Sequence, residues 1–181
     1  YLMNPVVYIP IELKARDLDA RLLLSTELIK LGMHVIIGQQ WVLSKNIYNV
    51  PEGIFLFKTV NEIQATQMVD AVDAGHKVTA SDEEVLACAC ESCFLSGMGP
   101  TASNKIDLFF ANNNEHSKVL KKQYPQLVDK IIVSGNPRID LSSSWGKPIY
   151  AQEAVEISKK FGPYVLFNTN FGWINSIWRE R

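Results

Sequence analysis

Three short stretches gather the residue types that acid/base and phosphate chemistry require. Glu12, Lys14 and Arg16 follow the apolar run Val6 to Ile11; Asp82, Glu83 and Glu84 follow Lys77 to Ala80; Asn136, Arg138 and Asp140 follow Lys130 to Ser134. Carboxyl groups that share a cleft push one another's pKa values apart, so one can hold a proton while another accepts one. Glu12, Asp82, Glu83 and Glu84 are therefore candidate catalytic groups, as a general base or a nucleophilic carboxylate. Lys14, Arg16 and Arg138 are cations, and the planar guanidinium fork suits phosphate or carboxylate oxygens. An architectural reading stands beside each. Asp82 can cap a following helix with Glu83 and Glu84 favouring its positive end, and Arg138 can pair with Asp140 as a staple across a turn.

Positioning such groups requires rigid elements. Gly135 can take a positive φ, while Pro137 fixes its own φ and forces Asn136 extended, so the backbone is stiff where Asn136, Arg138 and Asp140 stand. Seven strand-like runs alternate with helical patterns: Val6 to Ile11, His34 to Ile37, Gly53 to Phe57, Lys77 to Ala80, Asp107 to Ala111, Lys130 to Ser134 and Tyr164 to Asn168. That alternation predicts an α/β fold, a Rossmann-like parallel sheet with helices on both faces. Runs apolar on both faces, such as Val35 to Ile37 and Ile131 to Val133, predict central strands. The common doubly wound order sets the first and fourth strands side by side, which would bring Glu12 and the Asp82 to Glu84 loop into one crevice. For the first helix, Asp17 or Asp19 is the expected cap and Leu18, Leu22, Leu23, Leu28 and Leu31 the expected core face. Gly32, Gly75 and Gly162 read as helix C-caps. His34 and His76 read as structural, and His116 as solvent-facing.

Composition narrows the chemistry. The chain has 181 residues, 47% of them hydrophobic, and a formal net charge of -1. One core is affordable, and no global attraction to nucleic acid is expected. A Gly-x-Gly-x-x-Gly turn, a phosphate-binding P-loop and a Gly-x-Ser-x-Gly elbow are all missing, which argues against ordinary dehydrogenases, NTPases and α/β-hydrolases. No cofactor is expected. Cys88, Cys90 and Cys93 lack a second Cys/His pair for a metal and read as small reduced core side chains. No apolar run has membrane-span length, and the start lacks signal-peptide character, so a cytoplasmic location is expected.

In order, Pro10-Ile11-Glu12 with Arg16 and Asp19, Asp82-Glu83-Glu84, Asp107 to Ala111, Gly135-Asn136-Pro137-Arg138-Ile139-Asp140 and Phe167-Asn168-Thr169-Asn170-Phe171 resemble the bacterial surface carbohydrate biosynthesis proteins. Those are similar to two-domain, GT-B type glycosyltransferases and, distantly, to CDP-glycerol glycerophosphotransferases. The resemblance implies an acceptor-side Rossmann-like domain over residues 3–150. Residues 151–181 would then be a linker helix and the first strand of a truncated second domain. It implies transfer of a sugar from a nucleotide-sugar donor, bound mainly by that second domain, to a surface polysaccharide or lipid-linked acceptor. Asn136, Arg138, Asp140, Asn168 and Asn170 would join Lys14 and Arg16 in binding substrate. A polyol-phosphate transferase, a nucleotide-sugar epimerase and a non-catalytic flavodoxin-like binding module are the alternatives. The tail Trp173 to Arg181 suits either packing on its own domain or a peripheral contact at the inner membrane face.

Overall fold

A computed structural model of the chain describes residues 4–85 and 90–167. The sequence-predicted residues Asn168 and Asn170, and the Trp173 to Arg181 tail, lie outside the described residues. In chain order the elements are β1 (Val6–Ile11), α1 (Lys14–Lys30), β2 (His34–Gln39), α2 (Gln40–Lys45), β3 (Ile54–Phe57), α3 (Glu62–Asp73) and β4 (Lys77–Ser81). There follow α4 (Glu91–Leu95), α5 (Pro100–Lys105), β5 (Leu108–Ala111), α6 (Asn114–Gln123), β6 (Ile131–Val133), α7 (Pro137–Asp140) and α8 (Ala151–Phe161). Single 3-10 turns cover Pro125–Leu127 and Lys147–Tyr150.

The six strands form one all-parallel sheet in the order β2-β1-β3-β4-β5-β6 with helices around it, an α/β, Rossmann-like fold. The order corrects one expectation. β3 lies between β1 and β4, so the sheet reverses direction between β1 and β3, and the crevice opens at their carboxyl ends. A period of apolar residues fixes what a strand buries but not which strand lies beside it.

The core is a slab of apolar residues from the sheet and the helices over it. Tyr8 stacks on Phe55 with ring centroids 4.6 Å apart, its hydroxyl donating to the Pro51 carbonyl at 2.8 Å, and Phe57, Met68, Phe109, Leu120 and Leu127 complete the slab. Gly53 admits no side chain, since a Cβ there would stand 2.5 Å from the Val6 carbonyl oxygen. His76 is buried with Nδ1 accepting from the Gly53 N–H at 3.1 Å and Nε2 donating to the Ile47 carbonyl at 2.8 Å, the structural role expected of it. Gly32, Gly75 and Gly162 follow their helices at φ of 85°, 87° and 64°, as read from the sequence.

Several expectations fail. The strands β2 and β6 are edges rather than central, and Ile36, Ile132 and Val133 are exposed on them. On α1 the buried face is Asp17, Ala20, Arg21 and Ser25, whereas Leu22 and Leu31 are exposed. The helix turns this polar side inward because α7 and the charged loops lie over it. His116 is sealed between Phe94 and Phe109 rather than solvent-facing, and burial lowers its pKa to about 4. Tyr164–Phe167 carry no strand: they are exposed, and no strand among the described residues lies beside them to satisfy their backbone groups. Cys93 is disulfide-bonded and Cys90 is an exposed free thiol, so these two are not reduced core side chains.

Candidate functional site

The loops leaving β1, β3 and β4 are stitched together at their carboxyl ends. Lys58, the first residue after β3, is 3% exposed, and its ammonium stands 2.5 Å from Glu12 Oε2 and 3.9 Å from both Asp17 Oδ2 and Glu84 Oε1. Its carbonyl accepts from the Glu83 N–H at 3.1 Å. Arg16 reaches Glu12 at 2.9 Å, Asp17 at 2.7 Å and Glu84 at 3.3 Å. Glu12 and Glu84 thus share two cations, and the loops predicted to meet do meet. Lys58, which sequence reasoning passed over, is the residue that joins them.

Asp17 sits inside the first turn of α1 and turns back, its Oδ2 accepting from the N–H groups of Glu12 at 3.2 Å and Leu13 at 3.1 Å. It closes the helix start from within, instead of capping it from the preceding position. Burial opposes the charge on Asp17, yet the Arg16 hydrogen bond, the Leu13 N–H and nearby Lys58 bring its pKa below the ordinary value. Chiefly through its hydrogen bond from Lys58, Glu12 is lowered as well.

Deeper still, Arg21 and Glu83 are each 1% exposed, with Nη2 and Oε1 2.6 Å apart. Burial works against both charges, raising the Glu83 pKa and lowering that of Arg21, and each is offset by its partner. Glu83 is therefore sealed from solvent and presents no carboxylate to a ligand. The spacing Asp17, Arg21, Ser25 on one helical face was the available signal for this buried polar seam.

Asp82 faces the other way. It is 2% exposed and lines a cleft of about 310 Å³ with Thr59, Asn61, Glu84, Val85, Ser96 and Gly97. The cleft exists because a bridge pairs Val60 with Met98, and the Gly99 N–H donates to the Val60 carbonyl at 2.9 Å, so the two walls stand side by side. Burial pushes the Asp82 pKa up to about 6, with Glu84 and Glu83 adding like charge and backbone N–H groups opposing. Its Oδ1 accepts from the Glu84 N–H at 3.2 Å in a turn, so no helix beginning among the described residues is capped by it. Gly97 stands opposite, and a Cβ there would collide with Asp82 Oδ2, so a larger residue would have to displace that carboxylate. Thr59 Oγ1 is buried in the same wall without a hydrogen-bond partner among the described residues.

The loop after β6 joins from the far side. Gly135 has φ 84° and Asn136 is extended, as its sequence requires. Asn136 Oδ1 accepts from the Arg138 N–H at 3.0 Å, and its amide donates to Asn112 Oδ1 at 3.3 Å. Asn112 in turn donates to the carbonyls of Asp82 at 2.7 Å and Val85 at 2.5 Å. Asn112 thereby holds the acidic loop, a role with no sequence motif behind it. Arg138 is not stapled to Asp140. Its Nη1 lies 4.0 Å from Glu84 Oε1 and is buried without a hydrogen-bond partner among the described residues, while Asp140 is exposed. Lys14 is exposed at the start of α1, outside the network.

Compared with family models, curated proteins and solved structures, the chain matches none.

Proposed function

We propose that this chain is the acceptor-side domain of a glycosyltransferase of surface carbohydrate synthesis, working at the inner membrane face with a nucleotide-sugar donor. The observation that carries the reading is Asp82, a carboxyl poised at about 6 in a cleft that it shares with Thr59, Asn61 and Ser96, where a general base for neutral pH belongs. In the reaction an acceptor hydroxyl attacks the anomeric carbon. Its proton passes to Asp82, and the bond from that carbon to the donor phosphate oxygen breaks with its electron pair leaving on the nucleotide. Thr59, Asn61 and Ser96 line the same cleft and offer hydrogen bonds to acceptor hydroxyls. Arg16 and Arg138 lie beside it with cationic groups suited to the leaving phosphate.

The test is transfer by the native full-length protein from CMP-, UDP- and GDP-sugars to lipid-linked acceptors, read by mass spectrometry. Asp82→Asn is expected to lower kcat by roughly 100-fold or more and to abolish the acidic limb of the rate profile near pH 6. An unchanged kcat in that variant overturns the assignment of the base. Transfer of a polyol phosphate in place of a sugar, or no transfer from any donor, overturns the glycosyltransferase reading.

A further inference from the structure

Glu84 is the least buried acid of the network, 51% exposed, yet a single oxygen of it is the point on which three cations converge. Its Oε1 lies 3.3 Å from Arg16 Nη1, 3.9 Å from Lys58 Nζ and 4.0 Å from Arg138 Nη1. Only the first of these approaches is close, and Arg138 Nη1 is buried with no acceptor at hydrogen-bond distance among the described residues. Three cations, from the first turn of α1, the loop after β3 and α7, around one loosely held oxygen form the arrangement that binds a phosphoryl group. Arg16, Lys58 and Arg138 are faced at ion-pair distance by Glu12, Asp17 and Glu84, so withdrawal of Glu84 removes the acid that all three cations share.

We infer that Glu84 is an internal stand-in for a phosphoryl oxygen, and that Arg16, Lys58 and Arg138 form a binding site for a phosphate or diphosphate group which displaces it. Its neighbours suit the two states differently. Lys58 keeps Glu12 and Asp17 whether or not Glu84 is present, so the ammonium stays in place. Arg138, with no other acid within ion-pairing distance among the described residues, is the cation that gains most from a ligand oxygen. An exposed side chain at the crevice rim can swing outward without opening the core. Glu84 is then neither the base nor a nucleophile but an intramolecular competitor, which keeps the affinity of the unmodified site for small phosphate ligands low. As the leaving-phosphate site of the proposed transfer, this rests on that reading. The anion site itself does not depend on Asp82.

Inorganic pyrophosphate is the probe, titrated by calorimetry at low salt, with inorganic phosphate as the shorter ligand. Glu84→Ala is expected to tighten pyrophosphate at least about tenfold over the wild type, and Arg138→Gln in that background to reverse the gain. Glu156→Ala removes an acid from α8 and is expected to leave affinity unchanged, separating a local site from a general charge effect. An unchanged dissociation constant in Glu84→Ala overturns the proposal. So does a gain that survives Arg138→Gln, or one that Glu156→Ala reproduces. Should the Arg138 double variant not fold, Arg16→Gln in the Glu84→Ala background takes its place with the same expected reversal. Loss of sugar transfer in Asp82→Asn, with pyrophosphate binding intact, reports on the catalytic reading alone.

Discussion

Replacing Glu83 with Gln removes one charge from a pair that water cannot reach. Both side chains are 1% exposed and their charged atoms are 2.6 Å apart, so the guanidinium of Arg21 would lose its ion-pair partner in the interior and keep only the more distant charge of Asp17. Its Nε has no hydrogen-bond partner among the described residues, and Arg138 adds like charge nearby. Breaking such a pair from one side costs about 3–5 kcal/mol, a large share of the roughly 5–15 kcal/mol that holds a domain folded. At about 2–4 °C per kcal/mol for a chain of this length, the melting temperature should fall by roughly 6–20 °C. Removing both charges with Arg21→Met and Glu83→Met should restore most of the loss, because two apolar side chains then fill the seam. Urea unfolding followed by circular dichroism, run as a double-mutant cycle, measures the coupling directly. A loss below about 1 kcal/mol for Glu83→Gln would refute the reasoning, since it would mean that water reaches the pair.

Asp82 titrates at about 6, above its ordinary carboxylate range, so between about pH 4 and 6 the folded state binds more protons than the unfolded one. Stability from this group should fall as pH rises through that window, and Asp82→Asn should exceed the wild type by about 2–3 kcal/mol at pH 7.5 while matching it near pH 4 in urea unfolding. His116, held at about 4 by burial, works in the opposite sense. Its contribution is complete above about pH 6.5 and is lost as pH falls toward 4, and its ring should show no NMR titration between pH 5 and 8. Gly97→Ala should displace the Asp82 carboxylate, costing about 1–3 kcal/mol in thermal unfolding and narrowing the cleft; an unchanged Asp82 titration by NMR would count against the packing described.

The six strands of the sheet were legible because each is a short apolar run bounded by turn residues, and β1 coincides with its expected span. Their order was not, because the neighbours of a strand are chosen by crossovers and helix packing rather than by its own period. The same gap hid the centre of the site. Glu12, Arg16 and Glu84 could be named from their positions after strands, but Lys58 reads in sequence as an ordinary loop lysine and becomes decisive only once β3 lies beside β1. On α1 the leucines carried the stronger hydrophobic signal, yet the buried face is polar because Arg21 finds Glu83 on a loop 62 residues downstream. The turn at Asn136 was readable from backbone restrictions alone, whereas the partner of Arg138 was not: Asp140 is adjacent in sequence, and Glu84 is adjacent in space.

The strand order also sets a sequence of events for the growing chain. After β1 and β2, every later strand adds at one advancing edge, β3 to β1, β4 to β3, β5 to β4 and β6 to β5. Contacts of this kind are short in sequence and suit assembly from the N-terminus during synthesis. The inward face of α1 departs from that rule. Until Glu83 has been made and seated, Arg21 lacks its ion-pair partner and would leave water with only the more distant charge of Asp17 to offset the cost, so α1 can form against β1 and β2 but cannot close down fully. Arrival of the β4 loop is therefore the step at which a loose βαβ intermediate becomes a sealed layer, and ribosome-stalled chains in which Glu83 is still inside the exit tunnel should differ sharply in protease resistance across α1 from longer ones in which it has emerged.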